Sequence, residues 1–134
     1  MTTFKSNETN IKQSPVNIFN FLSDFNNFKE LLPPQVTNWS SDGTTCSFTI
    51  QGMADISLKI EGKKEYELIA YAAVDDKPFP LSLTTHIKPD GNNLSMVTII
   101  LEAQLNTMLK MMASRPLQNF VNMLVEQLKI VMEK

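Results

Sequence analysis

LNTMLKMMASRPLQNFVNMLVEQLKIVME, residues 105–133, is the longest segment of this chain with helical periodicity. In its second half Leu117, Phe120, Val121, Leu124, Val125, Leu128, Val131 and Met132 recur at spacings of three and four, which places them on one helical face. Gln118, Asn119, Asn122, Glu126, Lys129 and Glu133 fill the opposite arc. Met123 and Ile130 widen the apolar arc beyond a two-helix seam, so the helix needs cover on more than one side. A helix of this length spans roughly 42 Å, enough to cross a small domain. Pro116 lacks the N–H for the ladder and disfavours helical geometry at Arg115, which predicts a kink or a break there. Asn106 is placed to cap the first half and Ser114 the second. Leu105, Met108, Leu109 and Met112 form a short stripe before the proline, with Met111 beside it. Five of the eight methionines lie in this segment, and their flexible side chains suit either gaps in a core or the wall of a cavity.

The remaining sequence reads as a sheet around that helix. With 134 residues, 43% hydrophobic and 19% charged, the chain fits one domain, residues 1–134, with a core of its own. Its net charge of -2 and dispersed cations give no basic stripe for nucleic acid. Cys46 has no disulfide partner within the chain. A polar N-terminus without a secretory leader, and no apolar run of bilayer length, lead to the expectation of a cytoplasmic protein without stable membrane insertion.

Phe4 to Lys12 alternates weakly and reads as the first strand. Ser14-Pro15 then marks a helix start, with Val16, Phe19 and Leu22 inward. A second short helix is predicted at about Asn26 to Leu32, ended by Pro33-Pro34. Strands follow at Val36–Ser40, Thr44–Gln51, Asp55–Glu61, Tyr66–Ala73, Phe79–Lys88 and Asn93–Gln104, separated by turns that include Ser41-Asp42-Gly43, Gly52-Met53 and Pro89-Asp90-Gly91-Asn92. The result is an α+β plan: a curved seven-stranded antiparallel sheet, two short helices between strands one and two, and a long helix, kinked at Pro116, covering the apolar face.

In this order of elements, in the run Ser14-Pro15-Val16-Asn17-Ile18-Phe19, in Phe28-Lys29-Glu30-Leu31-Leu32-Pro33 and in the later Trp39, the whole chain resembles the START-like (SRPBCC, helix-grip) superfamily of polyketide cyclases and lipid-transfer domains. It is most similar to small bacterial stand-alone members, in which a run like Leu105 to Met112 precedes a helix-breaking proline. The resemblance implies an apolar cavity between the long helix and the sheet. It implies a fold more strongly than a reaction.

Candidate residues follow from strand phase and from that implied cavity. Trp39, Phe48, Leu58, Phe79, Leu81, Leu83, Ile99, Met112, Arg115, Phe120 and Leu124 are the expected lining. Arg115, the only arginine, is placed either to hold a carboxylate or phosphate at a pocket mouth or to bond carbonyls freed by Pro116. Glu102, Tyr66 and Tyr71 are candidate acids or bases if they face inward; alternation puts Glu102 outward unless a bulge shifts its phase. His86, the only histidine, falls on the outer face, without metal-ligand spacing to any partner. Cys46 reads as a small buried hydrophobe. The expected function is the binding of a small hydrophobic molecule (lipid-like, isoprenoid, quinone or aromatic) without metal or cofactor. A cyclase-like enzyme and a chaperone-activator-like interaction domain are the alternatives.

Overall fold

The computed structural model describes residues 1–51, 54–76 and 79–134; the expected turn at Gly52-Met53 lies outside the described residues. Among the described residues eight strands form one antiparallel sheet: β1 (Thr2–Lys5), β2 (Thr9–Ile11), β3 (Val36–Ser41), β4 (Thr45–Ile50), β5 (Ala54–Lys64), β6 (Leu68–Ala73), β7 (Leu81–Pro89) and β8 (Ser95–Ala103). Their order is β1-β8-β7-β6-β5-β4-β3, with β2 also paired to β8. Helix α1 (Pro15–Leu22) and a 3-10 helix (Phe25–Leu31) separate β2 from β3, and α2 (Thr107–Met132) closes the chain.

The expected first strand is two strands with a side chain at the joint. Lys5 pairs with Ile100, but Thr9 pairs with Val97, so β1 and β2 are one residue out of register along β8. The Ser6 N–H donates to the Ile99 carbonyl (2.8 Å), while the Ile99 N–H donates to Ser6 Oγ (2.9 Å). The hydroxyl thus takes the place of a ladder carbonyl. Further register shifts fall between Thr37 and Ser40 in β3 and between Ile60 and Gly62 in β5. Each shift bends its strand and tightens its twist. Together they curl the sheet.

That curl brings both sides of the sheet to α2. On one side Gln118 Nε2 donates to the Lys5 carbonyl (2.9 Å), the Asn7 N–H to Asn122 Oδ1 (3.2 Å), and Lys129 Nζ to the Asn10 carbonyl (2.8 Å). On the other, Phe120 stacks on Phe48 of β4. Leu117, Phe120, Val121, Leu124, Val125 and Leu128 are buried in between, as the periodicity predicts, with Val131 and Met132 partly buried beyond them and Ala113 buried ahead of them. Ile130 is 54% exposed and does not belong to this face.

Asn106 caps α2 as expected, its Oδ1 accepting from the Leu109 N–H (2.8 Å). Pro116 does not break the helix, which runs unbroken from Thr107 to Met132. Ser114 is therefore no cap, and its hydroxyl bonds to the Lys110 carbonyl one turn back. In α1, Ser14 is the cap and Pro15 opens the helix, but the inward residues are Ile18, Phe19 and Leu22, with Val16 40% exposed. The second short helix is of the 3-10 type and starts at Phe25, because Asp24 caps it through the Asn26 N–H (2.8 Å). No helix among the described residues is long and apolar enough to cross a membrane.

The β3–β4 turn carries a prediction. Asp42 Oδ1 accepts from the N–H groups of Thr44 and Thr45 and from both hydroxyls, and these bonds, led by the Thr45 N–H, hold its carboxyl below the usual aspartate range. A depressed folded value contributes stability above the unfolded pKa that is lost as pH falls through the folded one. Asp42→Ala should therefore lower the urea midpoint at pH 7, and the gap to wild type should close in acid. A gap that stays constant down to pH 2 would contradict this role.

Candidate functional site

The inner faces of the sheet and α2 meet in one apolar interior. Phe48, Leu58, Phe79, Leu81, Leu83, Ile99, Phe120 and Leu124 all lie in it, none more than 8% exposed, and they pack against one another as core. Phe48, Leu58, Leu81, Leu83 and Ile99 face inward because each lies in a regular ladder, and Phe120 and Leu124 because they lie on the periodic helix face, whereas Phe79, expected to open a strand, is buried two residues ahead of β7. Trp39 packs against the same interior but is half-buried, at the edge strand β3.

Four rings line up across this interior. Phe28 stacks on Trp39 (centroids 6.4 Å apart, planes 13° apart), Trp39 on Phe48 (5.7 Å, 26°), and Phe48 on Phe120 (6.0 Å, 22°). The row runs from the 3-10 helix, past the β3 edge, to α2. Near its end Gln35 Nε2 donates to Met123 Sδ at 3.5 Å, a weak bond joining the lead into β3 to α2 one turn after Phe120. Phe25, which a helix start at Asn26 leaves out of account, packs on Phe28 and Tyr71. The Asp24 cap is the sequence signal that includes it.

The candidate acids and bases are not brought together. Glu102 is half-buried on the outer face of β8, between Thr3 and Ser82, so no bulge inverts its phase. Tyr66 belongs to no strand; it sits in the β5–β6 turn with φ +66° and is 38% exposed, its ring edge-on to Phe19. Tyr71 does face inward and is fully buried, and its hydroxyl donates to the Leu22 carbonyl (2.6 Å). Burial first, and Cys46 second, push its pKa well above the ordinary tyrosine value. At neutral pH it is a neutral donor already engaged. Burial likewise pushes the Cys46 thiol up to about 12, so it remains a thiol and packs as a small apolar group. His86 is half-buried on the outer face, opposite Thr98 and Leu68.

Tyr71 ties the end of α1 to the sheet. Tyr71→Phe should lower stability by about 1 to 3 kcal/mol, because the Leu22 carbonyl loses its donor in a dry setting. An unchanged urea midpoint would show that this carbonyl is satisfied some other way.

Two of the expected lining residues lie outside. Met112 is 63% exposed, in line with Met108 at 70% and Met111 at 81%. The expected stripe is therefore split: Leu105 and Leu109 pack partly buried against the core, Met108 and Met112 are exposed, and the first fully buried residue of α2 is Ala113. Arg115 is exposed on the far side of α2 and, with Thr3, Phe4, Ser114, Gln118 and Asn119, borders a groove beside β1. Among the described residues no group of three His, Cys, Asp or Glu is placed to hold a metal ion.

A curled antiparallel sheet gripping one long C-terminal helix, with two short helices after the first strands, is the START-like helix-grip fold, and this chain has it over its whole length. The solution structure of KanY protein superposes with a TM-score of 0.79 at 14% identity, covering 99% of this chain and 98% of that one. A START superfamily protein from Mycobacterium smegmatis gives 0.69 at 15% identity over 98% and 97%. The Aha1 dimer from Colwellia psychrerythraea gives 0.65 at 15% identity over 99% and 97%. No protein-family model and no curated protein matches the sequence. The likeness is one of fold, and folds of this kind carry many functions.

Proposed function

We propose that the domain binds a small, flat, apolar molecule of the quinone or aromatic polyketide class between α2 and the sheet. The observation that carries this reading is the row of near-parallel rings Phe28, Trp39, Phe48 and Phe120, whose planes tilt by no more than 26° from one neighbour to the next. Such a row offers a face on which another planar system can stack in place of a ring. Among the described residues every buried side-chain nitrogen and oxygen already has a partner, so selection would rest on shape and apolar contact. Entry would pass the half-buried Trp39 and part the Gln35–Met123 contact, since a sulfur acceptor makes that link weak. Glu102, Tyr66 and Tyr71 offer no acid–base pair, so the geometry favours binding over a cyclase reaction.

Trp39 is the only tryptophan, and it reports on the site directly. Titration with 1,4-naphthoquinone should quench its fluorescence saturably at one molecule per chain, and Phe120→Ala should alter that affinity. Linear, unsaturable quenching that is identical in the variant would overturn the reading.

A further inference from the structure

The groove between α2 and β1 lies apart from the proposed interior site and supports an inference independent of it. Its volume is about 480 Å³, and Thr3, Phe4, Ser114, Arg115, Gln118 and Asn119 line it. One wall is the edge of β1 away from β8, where no further strand pairs among the described residues. The Ser6 N–H points to β8, where it donates to the Ile99 carbonyl, whereas the Lys5 carbonyl points to α2, where Gln118 donates to it. Backbone groups of alternate residues share a side of a strand, so the N–H and C=O of Thr3 point the same way as those of Lys5, into the groove. Thr3 is exposed.

The other wall carries one cation, Arg115. The Arg115 side chain is exposed and makes no hydrogen bond or ion pair among the described residues. Lys110 stands one turn before Ser114 on the same row of α2. Among the described residues no carboxylate lines the groove; Glu102, opposite Thr3 in the register, is on the β8 side of β1. One turn before Arg115, Met111 and Met112 are 81% and 63% exposed, so the cationic position adjoins an apolar one.

We infer that this groove binds the C-terminal end of a partner polypeptide: a short apolar segment with a free carboxylate. The terminal carboxylate pairs with the planar fork of Arg115. A residue just before it adds to the sheet through the two free ladder groups of Thr3, and its side chain rests on Met111 and Met112. Lys5 closes the edge beyond Thr3, because Gln118 already occupies its carbonyl, so the groove accepts an end and not a through-running strand.

The test uses the full chain and the tripeptide N-acetyl-Ile-Val-Leu as free acid and as C-terminal amide, followed by amide chemical-shift changes. The acid should shift Thr3, Arg115 and Asn119 and bind at least about tenfold more tightly than the amide. Arg115→Ala should reduce the acid to the level of the amide without changing the unfolding midpoint. Thr3→Pro, which removes the edge N–H, should abolish binding, while Thr3→Ala should retain it. Equal binding of acid and amide, shifts confined to the surroundings of Trp39, or acetate binding as tightly as the peptide would each overturn the inference.

Discussion

Phe120→Ala should lower stability by about 3 to 5 kcal/mol, the cost of removing a buried ring and leaving its space unfilled. Phe120 is 4% exposed and ends the ring row against Phe48, at the point where α2 meets the far side of the sheet. The loss adds two effects. The ring's own transfer energy disappears, and the side chains around it keep much of their positions and so lose contacts on one side. An apolar hole of this kind accepts apolar guests, so benzene at millimolar concentration should raise the variant's urea midpoint by more than it raises that of wild type. A loss below about 1 kcal/mol would show that the interior collapses freely around the gap.

Pro116→Ala should act in the opposite direction, stabilising the chain by about 1 to 2 kcal/mol. Proline inside a helix costs about 3 kcal/mol relative to alanine, and that gain is offset in part by the greater freedom of the unfolded alanine chain. The structure gives reasons why the proline is tolerated. α2 runs on through it, and the carbonyl left without a donor belongs to Met112, a residue 63% exposed, where water can serve. Thermal and urea unfolding of the variant check the sign. A clear destabilisation would mean that the proline sets a bend in α2 that the curled sheet requires.

The sequence makes the fold legible wherever a side-chain period matches its element. Leu117 to Leu128 sit inside because the three-and-four spacing has sheet on both sides of it, and Leu81, Leu83, Ile99 and Leu101 sit inside because their strands are regular over nine residues. Periodicity misleads where an element outruns its partner. Met108 and Met112 keep the spacing of a buried stripe in the first turns of α2, where only Leu109 reaches the core, and full burial begins at Ala113. It also fails where a side chain substitutes for backbone, as Ser6 does at the β1–β2 joint, or where a non-glycine residue takes positive φ, as Tyr66 does. The candidate site divides along the same line. Its apolar lining follows from strand phase, whereas the ring row depends on contacts between residues as far apart as Phe28 and Phe120. The Arg115 groove depends on which way one edge strand points its ladder groups. Neither is a local property of sequence.

Native mass spectrometry of the protein purified from its own host, with solvent extraction of what it carries, is the most direct test of the central claim that an apolar molecule is held between α2 and the sheet. The account predicts one bound species per chain, released by organic solvent, with a flat conjugated ring system and little net charge. Protein that is free of small molecules, and whose Trp39 fluorescence is indifferent to planar apolar probes, would contradict it.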